Sequence, residues 1–167
     1  MRKPISVIIN WSGPYSFDEA KKLKKQGIYL AYGRNRLGRD PSDKKLLYCG
    51  ISERSVGIRI REHKNAVYNH PSNEWWIGRQ VFPVRKSRET LEWAEWVITY
   101  FFDPSINTQK KLNPPPAEIY LVNEWFFKTG DRRRLNHIGI MHFISDVICW
   151  SPVTNKVGRG NLSTWEN

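Results

Sequence analysis

Gly27-Ile28-Tyr29-Leu30-Ala31-Tyr32 and, beyond a polar interruption, Lys45-Leu46-Leu47-Tyr48-Cys49-Gly50-Ile51 are the two runs on which the fold turns. Both are short and rich in β-branched and aromatic residues, so both read as strands, and the Gly/Arg/Asp/Pro-rich segment between them reads as a hairpin connection. Val56-Gly57-Ile58-Arg59-Ile60-Arg61-Glu62-His63 follows with helical spacing. On a helical projection Val56, Ile60 and Val67 make the apolar stripe, and Arg59 and His63, four apart, lie side by side on its flank. A second helix, Glu89 to Phe102, carries Leu91, Ile98 and Phe102 on one face, and Glu95 falls on that face too. A carboxylate inside an apolar stripe is costly to bury unless a positive charge meets it, so a metal ion or an arginine is implied.

Working outward, Ile5 to Trp11 reads as a strand ended by Ser12-Gly13-Pro14. Ser16-Phe17-Asp18-Glu19 has the pattern of a capping box opening a helix that runs to about Gln26. This arm is expected to cover or extend the sheet. Past the first helix, Asn69 to Asn73 is a polar turn and Glu74 to Val84 a third strand, with Pro83 marking a strand end or a sheet edge. Ser87 begins the helix bearing Glu95, which stops before Asp103-Pro104. Asn113-Pro114-Pro115-Pro116 makes a stiff, extended exit. Ile119 to Phe127 and Ile140 to Trp150 read as two strands, or a strand and a short helix. Ser151 to Asn167, rich in Gly, Asn, Ser and Thr, reads as a partly mobile tail.

Composition bounds the function. The 167 residues suffice for one well-cored domain, and 40% hydrophobic content with 13% aromatics is globular. Twenty-seven Lys and Arg against 16 Asp and Glu leave a formal charge of +11, which favours a polyanionic partner. Cys49 and Cys149 form no zinc-type cluster, so a reducing cytoplasm is the expected compartment and a structural disulfide is not expected. No apolar run approaches the ~18 residues of a membrane helix, and the apolar part of the N-terminal stretch is too short for a signal peptide. Membrane function is therefore not expected. No Walker loop, Ser-His-Asp order or Rossmann glycine pattern is present. His137 and His142, five apart, lack the spacing of a helical metal pair.

Cationic runs supply candidates for nucleic-acid contact. The loop from Gly33 to Lys45 holds Arg34, Arg36, Arg39, Lys44 and Lys45, and reads either as a solvated hairpin tip or as a finger along a phosphate backbone. Arg61 and Lys64 on or beside the first helix, and Arg132, Arg133 and Arg134 in a later loop, are further candidates, with plain solvation as the alternative.

The order Gly27-Ile28-Tyr29, Tyr48-Cys49-Gly50, Arg59-x-x-x-His63, Glu95 and Pro104-x-x-Asn107 resembles the catalytic core of the GIY-YIG endonucleases. The likeness covers residues 27–107, roughly half the chain, and its force lies in order and spacing together. Two features depart from the family: Cys49 stands where an aliphatic residue is usual, and the gap between the tripeptides is long, as an enlarged loop would make it. The resemblance implies an α+β fold with a small, mainly antiparallel three-stranded sheet flanked by helices. It divides the single domain into a nuclease core at 23–113 with extensions at 1–22 and 114–167.

The resemblance also implies the chemistry, metal-dependent hydrolysis of DNA phosphodiesters. Glu95 would bind one Mg²⁺ or Mn²⁺, a hard cation that prefers oxygen and keeps several waters. Glu92, about 60° off the stripe, is the neighbouring alternative. Arg59 would stabilise charge on the non-bridging oxygens. His63 would relay or accept a proton, or hold a tyrosine hydroxyl. Tyr29 would serve as base or position the water, and Tyr48 would orient water and phosphate; an ordinary tyrosine, with a pKa of about 10, needs a positive neighbour or a relay for such work. Asn107 would fix a loop against the metal helix or touch phosphate, with Asn113 as a second candidate. DNA is the expected partner, RNA stays open, and a homodimer would suit duplex cleavage at a defined sequence. Restriction, mobile-element or phage settings, or structure-specific repair, all suit such an enzyme. Two rivals remain: a silent nucleic-acid-binding module of the same fold, and an interaction protein presenting tryptophans near Trp75-Trp76 or Trp125.

Overall fold

The computed structural model describes residues 3–34, 44–63, 71–133 and 139–162. In chain order the elements are β1 (Ile5–Tyr15), α1 (Phe17–Ala20), β2 (Gly27–Gly33), β3 (Lys45–Ser52), α2 (Val56–Glu62), β4 (Glu74–Phe82), α3 (Arg88–Phe102), β5 (Ile119–Phe126), a 3-10 turn at Gly139–His142, β6 (Val147–Ser151) and β7 (Lys156–Gly160). All strands among the described residues belong to one curled, mixed seven-stranded sheet in the order β3-β2-β4-β1-β5-β6-β7. Every neighbouring pair is antiparallel except β1 and β5, which run parallel.

This architecture overturns the expectation of a small three-stranded sheet flanked by helices. β3, β2 and β4 do pair antiparallel, but they are one end of a larger sheet, and the helices among the described residues are few and short, with 4, 7 and 15 residues. The reason lies in β1. Its Val7, Ile9 and Trp11 are fully buried, and it pairs on both edges, so of the two roles expected of this arm it extends the sheet, as a central strand, and does not cover it. The buried Trp11 indole donates to Asn123 Oδ1 on β5 at 2.8 Å, tying the two halves of the chain together across the parallel pair.

Both faces of the sheet carry a core. α3 covers one face, where Trp93, Val97 and Ile98 meet Ile9, Leu30, Trp76 and Leu121. α1 and α2 cover the other, where Val56 and Ile60 pack on Tyr29, Ala31, Leu47 and Trp75. β2 is buried at every position, which is why its sequence is a continuous apolar run with no polar alternation. Trp75, Trp76 and Trp125 are at most 3% exposed, so the tryptophan-rich docking surface that an interaction protein would need is absent at those positions.

Three local expectations meet different outcomes. The capping box at Ser16 forms as read, with Glu19 N–H on Ser16 Oγ and Ser16 N–H on Glu19 Oε2. The helix nonetheless lasts one turn and not until Gln26. The following carbonyls are used elsewhere: Leu23 C=O accepts from Gly57 N–H and Ser55 Oγ, and Lys25 C=O accepts from Val56 N–H. Residues 21–26 thus satisfy the open N–H groups at the start of α2, which a longer α1 would leave orphaned. In the C-terminal segment, Lys156–Gly160 is an additional edge strand where a tail was expected. Its side chains are mostly exposed and it joins the sheet through the backbone ladder on β6. Among the described residues no helix is long and apolar enough to cross a membrane.

Candidate active site

The β2–β3 register sets the site. Tyr29 lies opposite Gly50 and Ala31 opposite Tyr48, so the two tyrosines sit on one face, diagonal to each other, with a bare glycine between them. A Cβ at Gly50 would stand 2.5 Å from Tyr48 Cε1 and 2.9 Å from Tyr29 Cζ and Oη. The glycine lets the rings come together, with centroids 5.8 Å apart. Gly27 is required for a separate reason. Its φ is +144° and a Cβ there would lie 2.2 Å from the Gly78 carbonyl oxygen on β4, so only glycine allows β2 to enter the sheet this way.

α2 delivers the next two groups. It ends at Glu62 and His63 is its C-cap, which turns the imidazole onto the tyrosines: Tyr29 Oη and His63 Nε2 are 2.7 Å apart, and the Tyr48 and His63 rings meet edge-on at 4.9 Å. Tyr29 thus bonds His63 directly, and Tyr48 packs its ring against both. Tyr29 is fully buried, and burial, reinforced by Tyr48, pushes its hydroxyl above the ordinary tyrosine range. Burial and then the Glu95 carboxylate do the same for Tyr48, so both are neutral phenols at neutral pH. Burial, then the Arg59 guanidinium, hold His63 below the usual imidazole pKa, so it is neutral there as well. Arg59 is half exposed and pairs with Glu62 at 2.9 Å.

Glu95 comes from α3, with its side chain only 14% exposed. It is met by a cation, as its place on the helix requires, but the partner is Lys110 and neither Arg59 nor another arginine. Lys110 is the residue that the sequence reading missed. Asn107 explains how it arrives. Its Oδ1 accepts from Cys49 N–H and its Nδ2 donates to Cys49 C=O, each at 2.8 Å. With Ser105 N–H on Leu46 C=O and Ile106 N–H on Leu47 C=O, the segment after α3 lies along the outer edge of β3. Asn107 is therefore a clamp that holds this loop, and with it Lys110, against the strand bearing Tyr48. Cys49 is fully buried and burial pushes its thiol well up, so it packs and takes no part in chemistry.

Tyr48, Arg59, Glu95, Asn107 and Lys110 line one cleft of about 850 Å³. Tyr29 and His63 stand behind Tyr48. Among the described residues no group of three or more His, Cys, Asp or Glu could hold a metal on protein ligands alone. The donor set fits a different kind of ion, a hydrated hard cation on one carboxylate, because Glu95 opens to a roomy cleft and already attracts a positive charge there.

The proposed DNA contacts fare unevenly. Arg36, Arg39, Lys64, Arg134 and also His137 lie outside the described residues. Lys44 is 3.7 Å from Glu74, Lys45 and Arg61 are exposed, and the backbone of Arg34 is pinned by Asn73. Arg132 is 3.7 Å from Glu124. Arg133 stacks its guanidinium over Trp76 and Phe127, 5.1 and 4.7 Å from the ring centroids, and so belongs to the packing. None of the described members lines the cleft. In comparisons with known proteins, no family model, no characterised protein and no solved structure matches the chain.

Proposed function

We propose that the chain is a divalent-metal-dependent endonuclease that hydrolyses DNA phosphodiester bonds. The observation that carries this reading is convergence. β2, β3, α2 and α3 bring Tyr29, Tyr48, His63, Arg59 and Glu95, the residues singled out by the resemblance to GIY-YIG nucleases, to one cleft and the buried shell behind it. A +11 chain supplies the attraction for a polyanion.

The arrangement divides the labour. Tyr48 borders the cleft and Tyr29 does not, so Tyr48 is the hydroxyl that touches the attacking water. As the water attacks, it passes a proton to Tyr48 Oη, Tyr48 passes its own to Tyr29 Oη, and Tyr29 passes its own to His63 Nε2. Each phenol remains neutral overall and the proton rests on the imidazole, so neither tyrosine needs to ionise at a pKa far above neutral. Arg59 exchanges its exposed partner Glu62, a weak surface pair, for the non-bridging phosphate oxygens, where its fork binds two at once. Glu95 would hold the cation, which when bound supplies positive charge against the phosphate and its leaving oxygen. Asn107 keeps the loop in register and touches no reacting atom.

Purified protein incubated with supercoiled plasmid and Mg²⁺, Mn²⁺ or EDTA, beside Glu95→Ala, tests the reading. Metal-dependent nicking or discrete fragments, lost in EDTA and in the variant while binding persists, is the expected result. Cleavage that survives in Glu95→Ala overturns the assignment, and salt-sensitive binding without cleavage under any metal leaves a nucleic-acid-binding module.

A further inference from the structure

A second cleft, of about 960 Å³, opens where the start of β2, the end of β3 and the β4–α3 connection meet. Five cations surround it: Lys24 and Lys25 from the segment before β2, Arg79 from β4, Lys86 from the loop before α3, and Arg88 from its first turn. All five side chains are exposed. The single carboxylate on its lining, Glu53, is already bound by Arg88 at 2.8 Å. Among the described residues, Lys24, Lys25, Arg79 and Lys86 have no carboxylate within ion-pair distance. Exposed lysines on a convex surface are merely solvated; four unneutralised cations around one concavity repel each other and hold a strong positive potential.

Two more features narrow the ligand. Arg88 lines both this cleft and the one containing Glu95, so the two concavities adjoin across one side chain. In the wall, Asn10 Oδ1 and the Oε1 of Gln80 lack a hydrogen-bond partner, although Gln80 is 3% exposed and gives its Nε2 hydrogens to the Pro83 and Arg85 carbonyls. Both oxygens are buried, so what a ligand meets is the cationic rim, which suits a chain of successive phosphates.

We propose that the second cleft binds the phosphates of the nucleic-acid strand that runs on from the cleavage site, with Arg88 at the junction. The direction of the strand rests on the nuclease reading, but the binding itself does not.

The test uses the full chain carrying Glu95→Gln, which binds without cutting, and a fluorescein-labelled DNA oligonucleotide followed by anisotropy over a salt series. Two charge-matched variants are compared: Lys25→Gln with Arg79→Gln in the cleft, and Lys3→Gln with Lys156→Gln away from it. The cleft pair should weaken binding about 10-fold and lower the slope of log K against log salt by about 2, while the distant pair changes neither appreciably. Equal losses in both pairs mean net charge alone and overturn the proposal, as does unchanged binding in the cleft pair. Anionic phosphatidylserine vesicles are run in parallel; a loss confined to vesicles also overturns it. If the parent protein never cleaves plasmid yet the cleft pair loses oligonucleotide binding, the nuclease reading falls and this site stands. If plasmid is cleaved and oligonucleotide binding survives in the cleft pair, the reverse holds.

Discussion

The two clefts that meet at Arg88 differ in how their charges are disposed. In the first, every lining cation has a carboxylate partner: Lys110 pairs with Glu95, Arg59 with Glu62, and Arg88 with Glu92. In the second, four cations have no anionic partner among the described residues. Under the proposed function the contrast separates two tasks. Reacting groups must be held in place before the substrate arrives, and mutual pairing holds them. Groups that grip a polyanion work best with nothing to give up, since each released counterion adds to affinity. Substitutions in the first cleft should therefore change the rate and leave affinity alone, and those in the second should do the opposite.

Glu95→Gln is the sharpest way to break that separation. It keeps shape and removes charge, and loss of one transition-state electrostatic contact costs about 10²–10³-fold in rate. Plasmid cleavage should fall by that factor while oligonucleotide affinity stays within a factor of about two, because binding is dominated by phosphate contacts in the other cleft. Activity within tenfold of the parent would show that the carboxylate belongs to packing.

Gly50→Ala acts through geometry alone. The added methyl meets both tyrosine rings, and overpacking of this kind costs about 1–3 kcal/mol, to be read from urea unfolding. Displacing reacting groups by as little as 1 Å costs up to about 10²-fold in rate, so cleavage should fall by about 10- to 100-fold with affinity unchanged. A variant that is destabilised but fully active would remove the tyrosine chain from the mechanism.

Gly50 also shows which parts of the molecule were legible in the sequence. Tyr29, Tyr48 and Gly50 sit in strands whose composition announces them, and the hairpin register that joins them is local. The Arg59–His63 spacing and the Ser16–Glu19 box are likewise short-range. The role of β1 was not legible, because its central position depends on a parallel pairing with β5, more than a hundred residues later, that no local pattern encodes. β7 was hidden for the opposite reason: Lys-Val-Gly-Arg-Gly contributes backbone hydrogen bonds and almost no burial, so it leaves no hydropathy signal. Glu95 declared its need for a positive charge, but the identity of the partner depends on the return of the 105–110 loop along β3, a tertiary fact.

The proposed proton transfer through the tyrosines requires neutral His63. Burial and Arg59 lower its pKa, and Glu62 opposes them only in part, so the midpoint lies on the acid side of 6.5. The single-turnover rate at fixed metal should fall about tenfold per unit below that midpoint and level off above it. Stability follows the same sign. The unfolded chain protonates this imidazole more readily than the folded one, so the contribution of neutral His63 is complete above the unfolded pKa and is lost as pH falls through the folded value. His63→Gln should lose this acid limb of the rate profile. An unchanged profile in that variant would assign the limb to another group and remove His63 from the chain.

The smallest effect is expected at Lys110, and it bears on why the first cleft pairs its charges at all. If the ammonium stands in for a cation at Glu95, Lys110→Met should raise Mn²⁺ affinity a few-fold in calorimetry, because the competing charge is gone, and should lower stability in EDTA because a mostly buried carboxylate is left unpaired. Added Mn²⁺ should then restore the melting temperature, since a ligand that binds only the folded state stabilises it in proportion to the logarithm of its concentration over Kd. Both measurements are made without substrate, so they read the site and not turnover. Lost stability with no recovery in Mn²⁺ would mean that the pair serves the β3–loop junction alone. The first cleft would then owe its neutrality to folding and not to readiness for a metal.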